Sequence, residues 1–270
     1  MTPAAAFFDL DGTLTLENTG RLWFRRERAE GRLALGQAME AAFWMGLYGV
    51  GLMRADTALS RAVATIKGVD EAALGARIAR FYEEEVVSVY APGGLDVVRD
   101  LQQREVPVVL LTAASTYLAG CVKEDLGLTD ALALEFAVDA EGRFTGSLVE
   151  PVCYGAGKVA HAERWAEANG VDLADCTFYT DSITDLPMLE RVGTAIAVHP
   201  DARLTRVARK RGWEILDWGG GVEEDTARMT RLRRLASSAV RRLSEARARV
   251  GDDPVDGPDN ESDRERSGAI

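Results

Sequence analysis

The sequence predicts an α/β fold in which a parallel sheet is covered by helices on both faces and a helical domain is inserted after the first strand. Three observations predict it. Short apolar runs alternate with amphipathic helical patterns along most of the 270 residues, which is the order that builds a parallel sheet. The stretch from 16 to 88 interrupts this order, because it contains no convincing strand. Several apolar runs also end in polar residues that could meet at one edge of the sheet.

The predicted strands are short and apolar, and each stops at a turn or at a polar residue. They are Ala4–Leu10, Val106–Thr112, Thr177–Thr180, Thr194–Val198 and, more weakly, Trp213–Leu216. Helical patterns lie between them at Gly94–Arg104, Tyr117–Leu126, Lys158–Asn169 and Ala202–Arg211. A β-hairpin is predicted where the turn Asp139-Ala-Glu-Gly142 separates Leu134–Val138 from Arg143–Leu148.

The insertion and the end of the chain complete the predicted organisation. Four helices are predicted in the insertion, at Thr19–Glu30, Leu35–Met53, Ala55–Ile66 and Glu71–Val87. Eight Arg and one Glu between 228 and 249 indicate a basic helix, and the acidic residues that follow have almost no apolar neighbours. We therefore expect a core at 1–15 and 89–220, a helical cap at 16–88, a basic C-terminal helix at 221–250 and a disordered tail at 251–270.

Composition argues against several classes of protein. Acidic residues outnumber basic ones by 43 to 32, for a net charge of −11, which disfavours general binding to nucleic acid. Three widely spaced cysteines form no C-x-x-C motif, so neither a disulfide framework nor a zinc site is indicated. The first residues do not resemble a signal peptide, and no uncharged apolar run is long enough to span a membrane. We expect a cytoplasmic protein.

Two carboxylates at the end of the first strand are the strongest chemical signal. Asp9 and Asp11 are two residues apart and are followed by Gly12 and Thr13. Residues i and i+2 of a strand share a side, so both carboxylates could face one small volume, where their charges would repel. A divalent cation would remove the repulsion, and hard oxygen ligands completed by water and phosphate suit Mg²⁺. The alternative is an ordinary turn or a calcium loop.

Three further segments favour a phosphate site over a simple turn. Thr112 and Ala113 follow the apolar run of another strand, Lys158 opens a helix after Gly-Ala-Gly, and Asp181 and Asp185 follow the strand Thr177–Thr180. A phosphoryl group needs a metal, a cation and hydroxyl or N–H donors, because its transfer depends mainly on positioning and electrostatics. These residue types alone do not say which aspartate would be the nucleophile.

The ordered set of four segments resembles the motifs of the haloacid dehalogenase superfamily of phosphotransferases. Asp9-x-Asp11-Gly12-Thr13 matches the first motif, Thr112 the second, Lys158 the third and Asp181-x-x-x-Asp185 the fourth. The helical insertion between the first two motifs, and Asp-Ser-x-x-Asp as the fourth, are similar to the phosphoserine-phosphatase-like branch. The resemblance implies a Rossmann-like core, a cap that closes over the site, and hydrolysis of a phosphomonoester.

The resemblance also implies roles for the reacting groups. Asp9 would be the nucleophile that forms an aspartyl-phosphate. Asp11 would protonate the leaving alcohol and then deprotonate the hydrolytic water. Thr112, Ala113 and Lys158 would bind phosphoryl oxygens.

A Mg²⁺ cofactor is implied in the same way. Its ligands would be the Asp9 carboxylate, the main-chain carbonyl of Asp11 and the Asp181 carboxylate. Asp185 would lie just outside these ligands and act through water or by orienting them.

The substrate is less well defined by the sequence. The branch implies a small phosphorylated metabolite of the phosphoserine or histidinol phosphate type, and the specificity candidates are Glu17, Asn18 and Arg61, none of them in clear register with the branch. Two alternatives stay open. One is a membrane-surface lipid phosphate phosphatase that uses the apolar segment 39–53 or the basic helix, although membrane contact is not favoured. The other is a non-catalytic phosphate-binding protein. The sequence does not give the oligomeric state.

Overall fold

Six parallel strands form one sheet at the centre of the structure, a computed structural model that describes residues 2–32 and 55–219. The strands are β1 (Ala6–Phe8), β2 (Val108–Ser115), β3 (Asp130–Leu134), β6 (Thr177–Thr180), β7 (Thr194–Val198) and β8 (Glu214–Leu216). Their order across the sheet is β3-β2-β1-β6-β7-β8, and every neighbouring pair is parallel. The α/β fold predicted from the sequence is confirmed.

Most predicted strands are present with shifted ends. The strands β6 and β7 match their predicted bounds, whereas β1 is shorter and β2 continues three residues beyond Thr112. The strand β3 was not predicted, and Leu134 belongs to it rather than to the hairpin. Its sequence, Asp-Ala-Leu-Ala-Leu, consists largely of good helix formers, and pairing with β2 decides its conformation.

The sheet separates two apolar cores because strand side chains alternate. On one face, Phe7 meets the ring of Trp165 edge-on at 5.4 Å. On the other face, Phe8 stacks on Tyr179 at 4.3 Å between ring centroids. Both phenylalanines are fully buried, which is why the first strand is apolar throughout. Burial on both faces anchors β1 at the middle of the sheet, directly below Asp9.

Eight α-helices accompany the strands in the described residues. They are α1 (Thr19–Ala29), α2 (Ala55–Ala64), α3 (Glu71–Phe81), α4 (Pro92–Gln103), α5 (Thr116–Leu126), α6 (Ala156–Asn169), α7 (Leu186–Leu189) and α8 (Ala202–Arg211). The single predicted helix Glu71–Val87 is instead α3 followed by a π-helical turn, Tyr82–Val86, and a 3₁₀ turn, Val87–Val89.

The helices α1 to α3 lie between β1 and β2, in a segment that we call the cap segment (16–32 and 55–88). The two connections between this segment and the sheet pair with each other. Leu16 N–H donates to the Val89 carbonyl at 2.8 Å, and Ala91 N–H donates to the Leu14 carbonyl at 2.8 Å. The insertion therefore enters and leaves the core at one place. The predicted domain boundaries stay a prediction.

The predicted hairpin is present as β4 (Phe136–Val138) and β5 (Phe144–Leu148), which pair antiparallel. It also binds the cap segment through its main chain. Gly68 N–H donates to the Phe144 carbonyl at 2.8 Å, and Phe144 N–H donates to the Val69 carbonyl at 3.0 Å. The hairpin thus joins the cap segment to the part of the chain that follows β3.

Three predicted segments lie outside the described residues: the helix Leu35–Met53, the basic helix 221–250 and the tail 251–270. The apolar segment 39–53 falls within the first of them. Within residues 2–32 and 55–219, no helix combines the length and the apolar character needed to cross a membrane.

Candidate active site

The four sequence segments meet at one edge of the sheet because three strands are in register. Phe8 of β1 pairs with Leu110 of β2 and with Tyr179 of β6. Asp9, the residue after β1, is therefore level with the residue before Thr112 in β2 and with the last residue of β6. These are carboxyl ends of parallel strands, where open α/β sheets bind ligands.

Lys158 occupies the centre of the site. Its Nζ donates to Asp9 Oδ1 at 3.0 Å and to Asp185 Oδ2 at 2.7 Å, and its side chain is only 2% exposed. The residue lies in the first turn of α6, which starts two residues earlier than predicted. A buried ammonium needs opposite charge, and the two carboxylates supply it.

The loop after β6 carries Asp181 and Asp185. Asp185 Oδ2 accepts a second hydrogen bond, from the buried hydroxyl of Thr180 at 2.7 Å. Asp185 therefore holds Lys158 in place and is itself held by β6. Thr180 was not singled out in the sequence, although its position directly before Asp181 is the signal that could have identified it.

Asp11 lies where the core meets the cap segment. Its Oδ1 accepts the N–H of Thr19, the first residue of α1, at 2.6 Å. An exposed N–H at a helix N-terminus favours a carboxylate. The carboxyl group of Asp11 is therefore oriented by the helix that opens the cap segment.

Gly12 lets Asp181 approach the Asp9–Asp11 turn. Its φ is +76°, and a Cβ atom built on it would lie 2.3 Å from Asp181 Oδ2. The Asp181 carboxylate thus occupies the space that a side chain at position 12 would need. Glycine is required here both for its backbone conformation and for this contact.

Burial shifts the pKa values of the site. Burial, with Asp185 and Asp11 nearby, raises the pKa of Asp9 to about 7, although Lys158 opposes the shift. Burial and the charges of Asp9 and Asp185 raise the pKa of Asp181 to about 8. Burial also raises the pKa of Asp11, against the opposing hydrogen bond from Thr19.

For Lys158, the charges of its neighbours outweigh the effect of burial on the pKa. Burial would lower the pKa of its ammonium group, but Asp185 and Asp9 outweigh this and raise the pKa. Lys158 therefore stays charged, and the acidic groups exceed it in number. An additional cation would stabilise the ionised carboxylates. Shifted pKa values of this kind are typical of functional sites.

Two of the three predicted phosphate-binding residues, Thr112 and Ala113, lie on β2. Thr112 is buried, and its Oγ1 accepts the N–H of Ala114 at 3.1 Å. Ala113 follows within the strand, half-buried. Thr13 is also buried, and its Oγ1 has no hydrogen-bond partner among the described residues.

The specificity candidates lie in the cap segment. Asn18 caps α1, and its Oδ1 accepts the N–H of Arg21 at 3.0 Å. Glu17 is exposed and pairs with Arg25 at 3.4 Å. Arg61 is exposed on α2. These side-chain bonds of Glu17 and Asn18 lead to α1 and not to Lys158.

The donor set at this edge of the sheet fits Mg²⁺. In the described residues, no three Asp, Glu, His or Cys side chains already converge as a metal site. The implied set needs only two carboxylates, from Asp9 and Asp181, and the main-chain carbonyl of Asp11. The Asp181 carboxylate lies against Gly12, the residue that follows Asp11. Few protein oxygens, with water and phosphate to complete the shell, are typical of Mg²⁺.

Gly12→Ala tests the close contact with Asp181. A left-handed backbone costs a non-glycine residue about 1 kcal/mol or more, and the new methyl would displace the carboxylate. We expect this modest loss of stability and a large loss of the phosphomonoester hydrolysis that the sequence resemblance implies. Gly170→Ala is the matched control, because Gly170 has φ +66° and a methyl added there would meet no described atom within 4 Å. Equal activity losses in the two variants would contradict the assigned role of the contact.

Comparisons with known proteins identify the family of the chain. The profile of the haloacid dehalogenase-like hydrolases matches residues 6–190. A Mycobacterium tuberculosis protein named phosphoserine phosphatase SerB1 is 38% identical over 220 residues, which cover 80% of this chain and 71% of that protein. A histidinol-phosphatase of Neisseria meningitidis is 25% identical over 218 residues, covering 79% and 98%. A Bordetella pertussis crystal structure of unknown function, 27% identical, covers 81% of this chain and 100% of its own, with a TM-score of 0.73.

Together with the fold, the family match and the relatives named as phosphatases define the class of the protein, a hydrolase of phosphate esters. The chain belongs to the haloacid dehalogenase-like hydrolases, in their phosphoserine-phosphatase-like branch, and it is a phosphatase. The resemblance found in the sequence is thereby confirmed. The roles of the individual residues and the identity of the substrate stay predictions.

Proposed function

We propose that the protein is a Mg²⁺-dependent phosphomonoester hydrolase that acts on a small phosphorylated metabolite through an aspartyl-phosphate. The observation that carries the proposal is the buried pairing of Lys158 with both Asp9 and Asp185, 3.0 Å and 2.7 Å away. A lysine held beside a carboxylate at a ligand-binding sheet edge can neutralise a phosphoryl group at the point where that carboxylate attacks it.

Asp9 is the proposed nucleophile. One carboxylate oxygen attacks phosphorus, and the alcohol leaves on the opposite side. Lys158 is anchored by Asp185 and contacts phosphoryl oxygens together with the Thr112 hydroxyl. The aspartyl-phosphate is then hydrolysed by water, which regenerates the Asp9 carboxylate and releases inorganic phosphate.

Asp11 is the proposed general acid and base. Burial raises its pKa, which favours the protonated form needed to protonate the leaving alcohol. Once it has lost that proton, the same carboxylate can accept one from the attacking water. The N–H of Thr19 holds one of its oxygens at 2.6 Å and so fixes the orientation of the group during both steps.

Mg²⁺ would be held by the carboxylates of Asp9 and Asp181 and by the main-chain carbonyl of Asp11. When bound, it would supply positive charge that offsets the charge on the phosphoryl group. We place Asp185 outside the metal ligands, because in this structure it binds Lys158 and Thr180.

The proposed substrates are phosphoserine-like or histidinol-phosphate-like, since relatives named for both activities match most of the chain. The proposed location is the cytoplasm, because Cys121, Cys153 and Cys176 are all free thiols, as is usual in a reducing compartment. A cytoplasmic metabolite phosphatase meets its substrate in solution and needs no membrane contact.

Removal of divalent cations should abolish activity. We expect EDTA to stop hydrolysis of p-nitrophenyl phosphate and added Mg²⁺ to restore it. Protons compete with the cation for carboxylates whose pKa values lie at about 7 for Asp9 and about 8 for Asp181, so the Mg²⁺ requirement should fall as the pH rises towards 8. Full activity in EDTA would contradict the metal dependence.

A panel of phosphomonoesters would test the substrate class. It should contain phosphoserine, histidinol phosphate and lysophosphatidate, with kcat/KM measured for each at saturating Mg²⁺. We expect one of the two soluble metabolites to give the highest value. A clear preference for lysophosphatidate would favour the lipid phosphatase, and no turnover of any ester would favour a phosphate-binding protein.

A further inference from the structure

We propose that Asp201 is a positioning residue, which holds the loop 181–185 in the conformation that the catalytic site requires. The inference rests on the function proposed above and assigns a role to a side chain outside the four family motifs. Asp201 follows β7 and precedes α8. It reaches the site because β7 is the neighbour of β6 in the sheet.

One oxygen of Asp201 has a local role. Its Oδ1 accepts the N–H groups of Arg203 at 2.7 Å and Leu204 at 2.9 Å. This is an N-cap of α8, a common use of aspartate. Capping accounts for Oδ1 but not for the other contacts of the residue.

The second oxygen and the main chain of Asp201 bind the catalytic loop. Oδ2 accepts the N–H of Ile183 at 2.9 Å, and the Asp201 N–H donates to the Asp181 carbonyl at 2.8 Å. Both bonds link the loop to the connection between β7 and α8. Asp201 therefore binds the loop at two residues, Asp181 and Ile183.

The two loop residues that Asp201 binds lie among the acidic groups of the site. Asp181 itself accepts one of the bonds, and Ile183 lies two residues before Asp185. Movement of the loop would displace the carboxylate that approaches Gly12 and the carboxylate that anchors Lys158 at 2.7 Å. Loss of the two Asp201 bonds should therefore misplace Lys158 and weaken metal binding. Weaker metal binding is the usual result when a group that orients metal ligands is removed.

The turn that precedes Asp201 has a strained backbone. His199 has φ +43°, a region that costs a non-glycine residue about 1 kcal/mol or more. Its N–H donates to the Leu216 carbonyl at 3.0 Å, and its Nε2 accepts the N–H of Trp218 at 2.5 Å. These bonds retain the strained turn, and the turn sets the direction in which the chain enters Asp201.

Ile183→Pro removes the N–H donor and leaves Asp201 intact. Ile183 is the first residue of a 3₁₀ turn and follows an extended Ser182, with φ −111° and ψ 135°, both of which tolerate proline. Ile183→Ala is the matched control, because it also loses the side chain but keeps the N–H. Metal binding is measured without substrate, by Mn²⁺ titration followed by electron paramagnetic resonance.

Asp201→Ser is the second variant. A serine hydroxyl can still cap α8, but it cannot also reach Ile183. Asp172→Ser is its control, because Asp172 caps a turn before β6, at the opposite edge of the sheet, with its Oδ1 accepting Ala174 N–H at 2.9 Å. We expect Ile183→Pro and Asp201→Ser to weaken Mn²⁺ binding about tenfold and to lower kcat, while both controls match the wild type.

The outcomes separate the inference from the proposed function. A wild-type protein that neither binds Mn²⁺ nor hydrolyses phosphate esters would overturn the proposed function. If the wild type does both, but Ile183→Pro binds Mn²⁺ as well as Ile183→Ala does, the role of Asp201 is wrong. Should Asp201→Ser fail to fold, the two Ile183 variants decide the question without it.

Discussion

Asp9→Asn should abolish phosphatase activity while leaving the fold intact. We expect kcat for an aryl phosphate to fall by about 10⁴-fold or more, since loss of a nucleophile in other covalent enzymes costs up to about 10⁶. An asparagine keeps an oxygen that can accept a hydrogen bond from Lys158. It also removes a buried carboxyl group, whose pKa burial has raised to about 7. The thermal unfolding midpoint should therefore not fall.

Asp175→Asn is the control for this variant. Asp175 is exposed and lies just before β6, at the edge of the sheet opposite the site, so its substitution should leave activity unchanged. Acid quenching during turnover should trap a phosphorylated protein with the wild type and not with Asp9→Asn. Activity retained by Asp9→Asn in Mg²⁺ would exclude Asp9 as the nucleophile.

Lys158→Met should cost both stability and activity. It leaves Asp9 and Asp185 buried without their shared cation, and breaking a buried pair in this way costs about 3–5 kcal/mol. Activity should fall by about 10²–10³-fold, the usual effect of removing one preorganised group that stabilises transition-state charge. Urea unfolding in EDTA and steady-state kinetics in Mg²⁺ measure the two effects separately.

The loss of stability in Lys158→Met should grow with pH. Without the lysine, the pKa of Asp9 rises further above its value in the unfolded chain, so the folded state binds the proton more tightly. Ionisation then opposes folding increasingly as the pH rises from about 4, the unfolded value, through the raised folded value. Unfolding free energies at pH 5 and pH 8 should differ more in the variant than in the wild type.

Two companion variants make this result specific. Lys158→Met combined with Asp185→Asn should recover much of the stability but none of the activity, because one stranded charge is gone and the phosphate-binding cation is still missing. Lys123→Met should cost at most about 1 kcal/mol, since its 3.0 Å pair with Asp130 is partly exposed. A Lys158→Met protein as stable as Lys123→Met would contradict the buried pairing.

The core of the fold follows from local sequence signals. The apolar run around Phe7 and Phe8 specifies a strand buried on both faces, and its last residue fixes where Asp9 lies. The carboxyl ends of neighbouring strands then bring Thr112 and Asp181 to the same edge. The strand β3 could not be predicted in this way, because Ala and Leu suit a helix equally well and only its pairing with β2 decides.

The parts of the site that the sequence did not reveal depend on contacts between distant segments. Asp201 binds Ile183 from 18 residues away, and nothing in its own neighbourhood announces that contact. Asn18 is predicted as a specificity residue from its position, and the structure adds that it is the N-cap of α1; its part in specificity stays a prediction. Local pattern identifies chemically suitable residues, but tertiary packing decides which of them act on one another.

The main-chain bonds between the hairpin and the cap segment have a consequence for biosynthesis. The Phe144 amide and carbonyl bind the cap segment at Val69 and Gly68, and the Arg143 guanidinium adds a side-chain bond to the Gly68 carbonyl across 75 residues. On the ribosome, the cap segment emerges well before its partner strand does. Its main-chain groups at Gly68 and Val69 stay unpaired until residues 142–144 leave the exit tunnel, and during that interval they can pair wrongly.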